Sequence, residues 1–178
     1  MATAGKAAER TWAEEFLAEF DREMKATRKL LAVVPDELVA WKGHEKSMSI
    51  GRLAGHVAEI PEWGANILEL DQLDITPQAG AQMFSIASNR ELLETFDANA
   101  QRMRKAIEAT TDEDAGKQWR MTFGGREVVN APRRVAMRQW VMSHLIHHRA
   151  QLGVYLRLRN VKIPGMYGPS ADEMPGRM

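Results

Sequence analysis

Apolar residues recur every three or four positions in four long stretches of the chain, as on the buried face of an amphipathic helix. In the first stretch, Phe16, Phe20 and Met24 follow this spacing. Four such helices predict an all-α fold, a four-helix bundle formed by one domain over residues 1–178. The predicted helices cover residues from about 11–34, 50–72, 88–111 and 132–159.

The connections between the helices differ in kind. Between the third and fourth helices, Trp119–Phe123 and Arg126–Val129 flank a Gly-Gly pair, which predicts a short β-hairpin. Residues Leu73–Ala87 form a long connection that permits a crossover between parallel neighbours. The tail over residues 160–178 is rich in proline and glycine and is expected to be irregular.

Composition excludes several classes of function. The 178 residues carry 24 basic and 24 acidic side chains, so no net charge attracts nucleic acid or an acidic membrane. No segment approaches the roughly 20 apolar residues that a membrane span requires. The absence of cysteine fits a reducing compartment, and the first ten residues lack an apolar signal segment. We expect a soluble, cytoplasmic protein.

One charge asymmetry allows two interpretations. Between Lys117 and Lys162 the only acidic residue is Glu127, whereas the first helix is rich in glutamate. The basic segment either packs against the first helix and is neutralised there, or presents arginines to an anionic substrate.

Three histidines are the strongest candidates for a functional site. His144 and His148 lie four positions apart, and at about 100° per residue they share one helix face. That face is apolar, and His56 occupies a core-facing position on the second helix. Buried imidazoles need partners, so the three are either hydrogen-bonded core residues or joint ligands of one metal ion.

Other sites of known type are absent or weaker. Without cysteine, a transition-metal site must use nitrogen and oxygen ligands, as Zn²⁺, Ni²⁺ or Fe²⁺ can. His44-Glu45 is not followed by the second histidine of H-E-x-x-H, and no E-x-x-H of the di-iron type occurs. His147 falls at the edge of the apolar face and is expected at the rim, although an i,i+3 pair with His144 is geometrically possible.

Three further residues are candidates for hydrogen bonding or proton transfer. Gln151 lies one turn beyond His148, and Tyr155 lies two turns beyond it. Glu59 lies one turn beyond His56, where it can orient that ring or act as a base. A surface or packing role is the alternative for each.

Four segments of the chain match the pattern of a known family: Trp41–Ser47, Ser49–Glu59, His144–Leu152 and Pro164–Glu173. Together these segments resemble the DinB/YfiT-like superfamily. The resemblance covers nearly the whole chain, and its most specific part is the H-x-x-H-H-R-x-Q block, in which Ala150 replaces a common glycine.

The resemblance implies an up-down-down-up four-helix bundle that holds a divalent metal on His56, His144 and His148. Members commonly form homodimers, and some resemble transferases or isomerases that use a low-molecular-weight thiol.

Three hypotheses about function follow. A metal-dependent enzyme, a thiol S-transferase or a hydrolase, requires open coordination positions. A non-catalytic metal- or ligand-binding dimeric bundle predicts no pocket beside the metal. A plain interaction domain with hydrogen-bonded histidines predicts no metal.

Overall fold

The computed structural model describes residues 11–76, 86 and 88–174, and within them the chain is mostly helical. Helix boundaries lie within a few residues of those predicted, and the first two helices end early. The first ends before Pro35, and the second ends where the chain turns into a strand. The helices are α1 (Trp12–Leu31), α2 (Ile50–Glu69), α3 (Asn89–Ala109), α4 (Asp112–Gly116), α5 (Arg133–Ala136) and α6 (His144–Leu158).

Side-chain caps fix where the three long N-terminal helices begin. The Thr11 hydroxyl and the Glu14 carboxylate satisfy each other's backbone N–H groups in a capping box on α1. The hydroxyls of Ser49 and Ser88 accept the N–H of the third residue that follows in α2 and α3. These caps are local signals, so helix starts were predictable from sequence.

A small sheet packs against α2 and α5. The predicted hairpin is confirmed: β2 (Gln118–Phe123) pairs antiparallel with β3 (Arg126–Pro132). Gly124 and Gly125 have φ of 56° and 79°, the left-handed turn geometry that glycine allows.

A third strand was not predicted. β1 (Gln72–Ile75) pairs parallel with β2, in a segment that the sequence indicated to be part of a connection. Gln72–Ile75 does alternate polar and apolar residues, but the pattern lasts only four residues and directly follows a helix. The rest of that predicted connection, residues 77–85 and 87, lies outside the described residues.

The last helix is continuous but changes its winding just before the histidines. A π-helical segment, Met137–Ser143, joins α5 to α6. A π turn contains more residues than an α turn, so it changes which face the residues before it present. A constant step of 100° per residue therefore does not describe Met137–Ser143, although it holds from His144 onward.

The helices pack around one apolar core. α2 packs against α3 and the last helix, and α1 packs against α3 and the last helix. Phe20, Leu31, Ile60 and Phe96 are almost completely buried in this core. Among the described residues, no helix combines the length and apolar character needed to cross a membrane.

Candidate metal centre

Three histidines from two helices meet at one point. His56 comes from α2, and His144 and His148 come from successive turns of α6. One ring nitrogen from each lies within 4.8 Å of the others. His56 is buried and the other two are half-buried, so the cluster lies at the edge of the core. The fold thus brings together the three residues that the sequence singled out.

The closest contact joins the Nε2 atoms of His56 and His144, which lie 3.0 Å apart. In the absence of metal, one of these nitrogens must carry the proton and donate it to the other. Zinc–nitrogen bonds are about 2.0–2.1 Å long, so two nitrogens at this separation can also bind one common ion. The distance is compatible with both interpretations of the cluster.

The surroundings keep two of the imidazoles neutral. Burial, and then the charge that His148, His56 and His147 would carry, lower the pKa of His144 from 6.5 to about 4. Burial is also the main reason that the pKa of His148 is lowered, and the hydrogen bond that His148 donates to Gln151 opposes this lowering. At neutral pH both rings therefore have the uncharged form that binds metals.

Gln151 fixes the orientation of His148. Its Oε1 lies 2.8 Å from Nδ1 of His148. An amide oxygen only accepts hydrogen bonds, so Nδ1 carries the proton and Nε2 keeps its lone pair. A hydrogen bond to the non-ligating nitrogen is the usual support of a metal-binding histidine. Gln151, which the sequence offered as a hydrogen-bonding candidate, thus contacts His148 in the structure.

His56 lacks a comparable partner. Its Nδ1 is buried and has no hydrogen-bond partner among the described residues. Oε2 of Glu59 lies 3.6 Å away, just beyond hydrogen-bonding distance. The same oxygen lies 3.3 Å from the guanidinium of Arg52. Glu59 therefore lies where a small movement would let it accept the Nδ1 proton of His56.

The sequence model of the DinB family matches residues 1–177. The chain belongs to the DinB family. An uncharacterized protein of Bacillus subtilis, YrdA, is 28% identical over 163 residues, which are 90% of each chain. Two solved structures share the fold at lower identity. A DinB-like protein from Bacillus cereus superimposes with a TM-score of 0.67 at 20% identity, over 88% of this chain and 98% of the other. YjoA, a DinB-like protein from B. subtilis, gives 0.64 at 18% identity, over 85% and 97%.

The remaining candidates of this DinB family chain lie farther from the ring nitrogens. The ring of Tyr155 packs edge-to-face on Trp41, and a Cβ at Gly43 would lie 3.1 Å from it. Tyr155 thus holds the loop before α2. His147 is exposed and touches the edge of the His148 ring, and His44 is exposed and accepts the N–H of Lys46. Neither belongs to the cluster of converging nitrogens.

A second polar cluster was missed by sequence reasoning. Arg149, which follows His148, is 2% exposed and pairs with Glu23 of α1 at 2.7 Å. Its guanidinium also donates to the hydroxyls of Thr27 and Tyr167. Tyr167 in turn donates to the Glu23 carboxylate. We call Glu23, Thr27, Arg149 and Tyr167 the arginine cluster.

The arginine cluster partly resolves the charge asymmetry. Arg149 pairs with Glu23 and Arg138 pairs with Glu19, so the basic last helix does neutralise the acidic first one. The tail residues of the family motif hold Tyr167 in place. Asp172 accepts from Arg157 and from the N–H of Ile163. A short internal hydrogen-bond network, rather than regular structure, orders this part of the tail.

A cavity of about 340 Å³ opens beside His144 and was also missed. It lies between α2, one face of the sheet and the last helix. Trp119 and Met121, two apart on β2, point to it together with Leu73 and Ile75 of β1. The period-two spacing of Trp119 and Met121 was visible in the sequence, but the partner strand was not.

Proposed function

We propose that this protein is a divalent-metal-dependent enzyme whose metal is held by His56, His144 and His148. The convergence of three imidazole nitrogens within 4.8 Å carries the proposal. Two observations support it. The lowered pKa values of His144 and His148 keep both rings neutral, and the Nδ1 of His148 is held by Gln151. Nδ1 of His56, the nitrogen that does not face His144, has no hydrogen-bond partner among the described residues.

The donor set restricts the metal. Three imidazoles without thiolate suit Zn²⁺, Ni²⁺ or Fe²⁺ and leave at least one position open, as in catalytic rather than structural sites. A divalent ion bound there supplies Lewis acidity, which makes a water molecule or a thiol more acidic. The reaction class is therefore either transfer to a low-molecular-weight thiol or hydrolysis of a small-molecule substrate.

The chain's own residues take defined roles in this proposal. Gln151 holds the proton of His148 on Nδ1, which aims Nε2 at the metal. Glu59 lies beside His56 and Arg52, where its carboxylate can orient His56 or accept a proton from the nucleophile. Tyr155 keeps the loop that carries Trp41 packed on α6, which is a positioning role rather than a direct one.

The alternative is a non-catalytic metal- or ligand-binding bundle. That hypothesis predicts no pocket beside the metal, whereas a cavity reaches His144. The cavity therefore favours an enzyme. The 3.0 Å contact between His56 and His144 also fits a plain hydrogen-bonded pair, and metal analysis decides between that pair and a metal site.

Other implications of the resemblance remain proposals. The packing of α1 and α2 against α3 and the last helix supports the up-down-down-up four-helix bundle. A homodimer and a cytoplasmic location are proposed on the resemblance and the composition. Sedimentation velocity of the full chain tests the homodimer. Nucleic acid and membranes are not proposed as partners, because the formal net charge is zero.

Elemental analysis tests the proposal directly. Wild type, His148→Ala and His147→Ala are purified without an immobilised-metal column or chelator. We expect near-stoichiometric metal in wild type and in His147→Ala, the matched neighbour, and loss of metal in His148→Ala. The metal-loaded protein is then assayed with a panel of thiols and electrophiles, and with ester and amide substrates.

Two results would contradict the proposal at different levels. Absence of metal from wild type, with no response of stability to added Zn²⁺ or Ni²⁺, would leave a hydrogen-bonded interaction domain. Bound metal without metal-dependent turnover across the panel would favour the non-catalytic bundle.

A further inference from the structure

The cavity beside His144 has a built shape, with walls from three separate parts of the fold. Trp63 comes from α2, Trp119 from β2, and Trp140 from the π-helical segment that precedes His144. At about 340 Å³ it lies at the lower end of the roughly 300–1,000 Å³ that small-molecule sites occupy. Because its walls belong to helices and paired strands, the cavity is largely pre-formed.

Its chemistry is apolar with polar groups at a few points. Three indole rings and the aliphatic side chains of β1 dominate the lining, and Asn66, Glu62 and His144 supply the polar atoms. The Nε1 of Trp119 is buried without a hydrogen-bond partner among the described residues. Indole rings offer large, rigid contact surfaces to planar or aliphatic groups. Such a lining recognises the body of an organic molecule rather than a hydrated ion.

The surroundings of His148, which does not line the cavity, differ. His148 lies near Gln151 and Arg52, whose charge helps to lower the pKa of His148. Arg52 in turn lies beside Glu59. Within the cluster, His144 thus borders an apolar cavity, whereas His148 has polar neighbours. Of these two surroundings, the cavity beside His144 is the one whose apolar lining suits an apolar reactant.

We propose that the cavity binds the apolar, planar or aliphatic body of a small organic substrate, with its reactive end at His144. The role as a substrate site rests on the proposed function, whereas the binding of an apolar ligand does not. Metal-free protein can therefore test it independently. The probe is 2-naphthol, a compact aromatic molecule with one polar group.

Tryptophan side chains provide an internal control. The chain has five tryptophans, of which Trp63, Trp119 and Trp140 line the cavity, while Trp12 and Trp41 do not. Trp12 stacks on Phe16, and Trp41 packs on Tyr155. In nitrogen-15 correlation spectra of the metal-free full chain, 2-naphthol should shift the indole N–H signals of the three lining residues saturably. The signals of Trp12 and Trp41 should stay in place.

A pair of variants on the same sheet tests the location. Ile75→Glu introduces a charge into the apolar lining and should weaken 2-naphthol binding by about tenfold or more, because desolvating a carboxylate opposes it. Val128→Glu makes the same kind of change at an exposed position of β3 and should leave the affinity unchanged. Far-ultraviolet circular dichroism checks that both variants fold. If Ile75→Glu does not fold, the pattern of indole shifts in wild type decides alone.

The outcomes separate this inference from the metal proposal. Selective shifts at the three lining indoles, lost in Ile75→Glu, support the cavity as a ligand site even if no metal binds. Equal shifts at all five indoles, no saturation, or unchanged affinity in a folded Ile75→Glu variant overturn it, even if metal analysis succeeds.

Discussion

His148 and Arg149 are neighbours in the chain, but they belong to two polar clusters that differ in how completely their polar atoms are hydrogen-bonded. In the arginine cluster, the Arg149 guanidinium, the Glu23 carboxylate and the Tyr167 hydroxyl all bond to one another. In the histidine cluster, ring nitrogens face each other, and Nδ1 of His56 is unsatisfied among the described residues.

The difference indicates separate roles. A buried polar group that is hydrogen-bonded within the chain contributes to stability, because removing its partner leaves an uncompensated charge or dipole in the core. Neutral ring nitrogens that converge on one point and can exchange a shared proton for a metal ion are suited to an ion that the chain does not supply. On this comparison, changes in the arginine cluster should alter stability, and changes in the histidine cluster should alter metal binding.

The largest effect should come from Arg149→Ala. Removal of one partner from a buried ion pair typically costs about 3–5 kcal/mol of the free energy of unfolding, because the other charge stays buried. Glu23 is 1% exposed and would be left in that state. Urea unfolding followed by circular dichroism measures the loss.

The control for this change is Arg138→Ala. Arg138 pairs with Glu19 on the surface, where its side chain is 50% exposed, so the loss should be about 1 kcal/mol or less. If Arg149→Ala does not fold, Tyr167→Phe removes one hydroxyl of the cluster and should cost about 1 kcal/mol. Equal losses in Arg149→Ala and Arg138→Ala would refute the structural role of the arginine cluster.

Added Zn²⁺ should stabilise wild type by an intermediate amount. A ligand that binds only the folded state at 100 times its dissociation constant raises the free energy of unfolding by about 2.7 kcal/mol. We expect this stabilisation to come from Zn²⁺ bound at the histidine cluster. Thermal unfolding with and without Zn²⁺ should show the stabilisation in wild type and lose it in His144→Ala. A stabilisation that persists in His144→Ala would place the metal elsewhere.

A smaller effect is expected from Gln151→Ala. Loss of the hydrogen bond to Nδ1 of His148 should weaken metal binding by about 10–100-fold, because the ring is no longer held in the ligating tautomer. Competition with a chelating dye measures the affinity. Gln139→Ala changes an exposed glutamine of the same helix and should leave the affinity as in wild type. The prediction fails if the two variants bind metal equally.

The smallest effect should be the pH dependence contributed by His144. Its pKa is about 4 in the fold and 6.5 without the fold's influence, so the unfolded chain binds the proton more readily. The stability of the metal-free protein should therefore fall as pH decreases from 6.5 towards 4. The effect is limited because the ring is half-buried and solvent screens it.

His144→Gln isolates this contribution. Above the unfolded pKa, wild type and His144→Gln should show parallel stability profiles, whereas below it wild type should lose stability more steeply. Urea unfolding in a series of buffers measures both. Parallel profiles throughout would show that His144 is not desolvated as its position indicates.

Local patterns predicted much of the secondary structure. The three-four spacing located the long helices, and Gly124-Gly125 located the hairpin, because both signals are carried by residues close in the chain. β1 was missed because its alternating pattern lasts only four residues and its parallel partner lies over 40 residues away. The π-helical segment also escaped, since its residues carry the same apolar spacing as an α-helix.

The sequence by itself determined which side chains could meet. His144 and His148 share a face by helical geometry alone, and the absence of cysteine restricted any metal site to nitrogen and oxygen ligands. Only the tertiary structure decided that His56 joins them, that Arg149 pairs with a glutamate 126 positions away, and that three indoles enclose a cavity. Those contacts depend on how helices pack, and packing is set by the whole core rather than by any local segment.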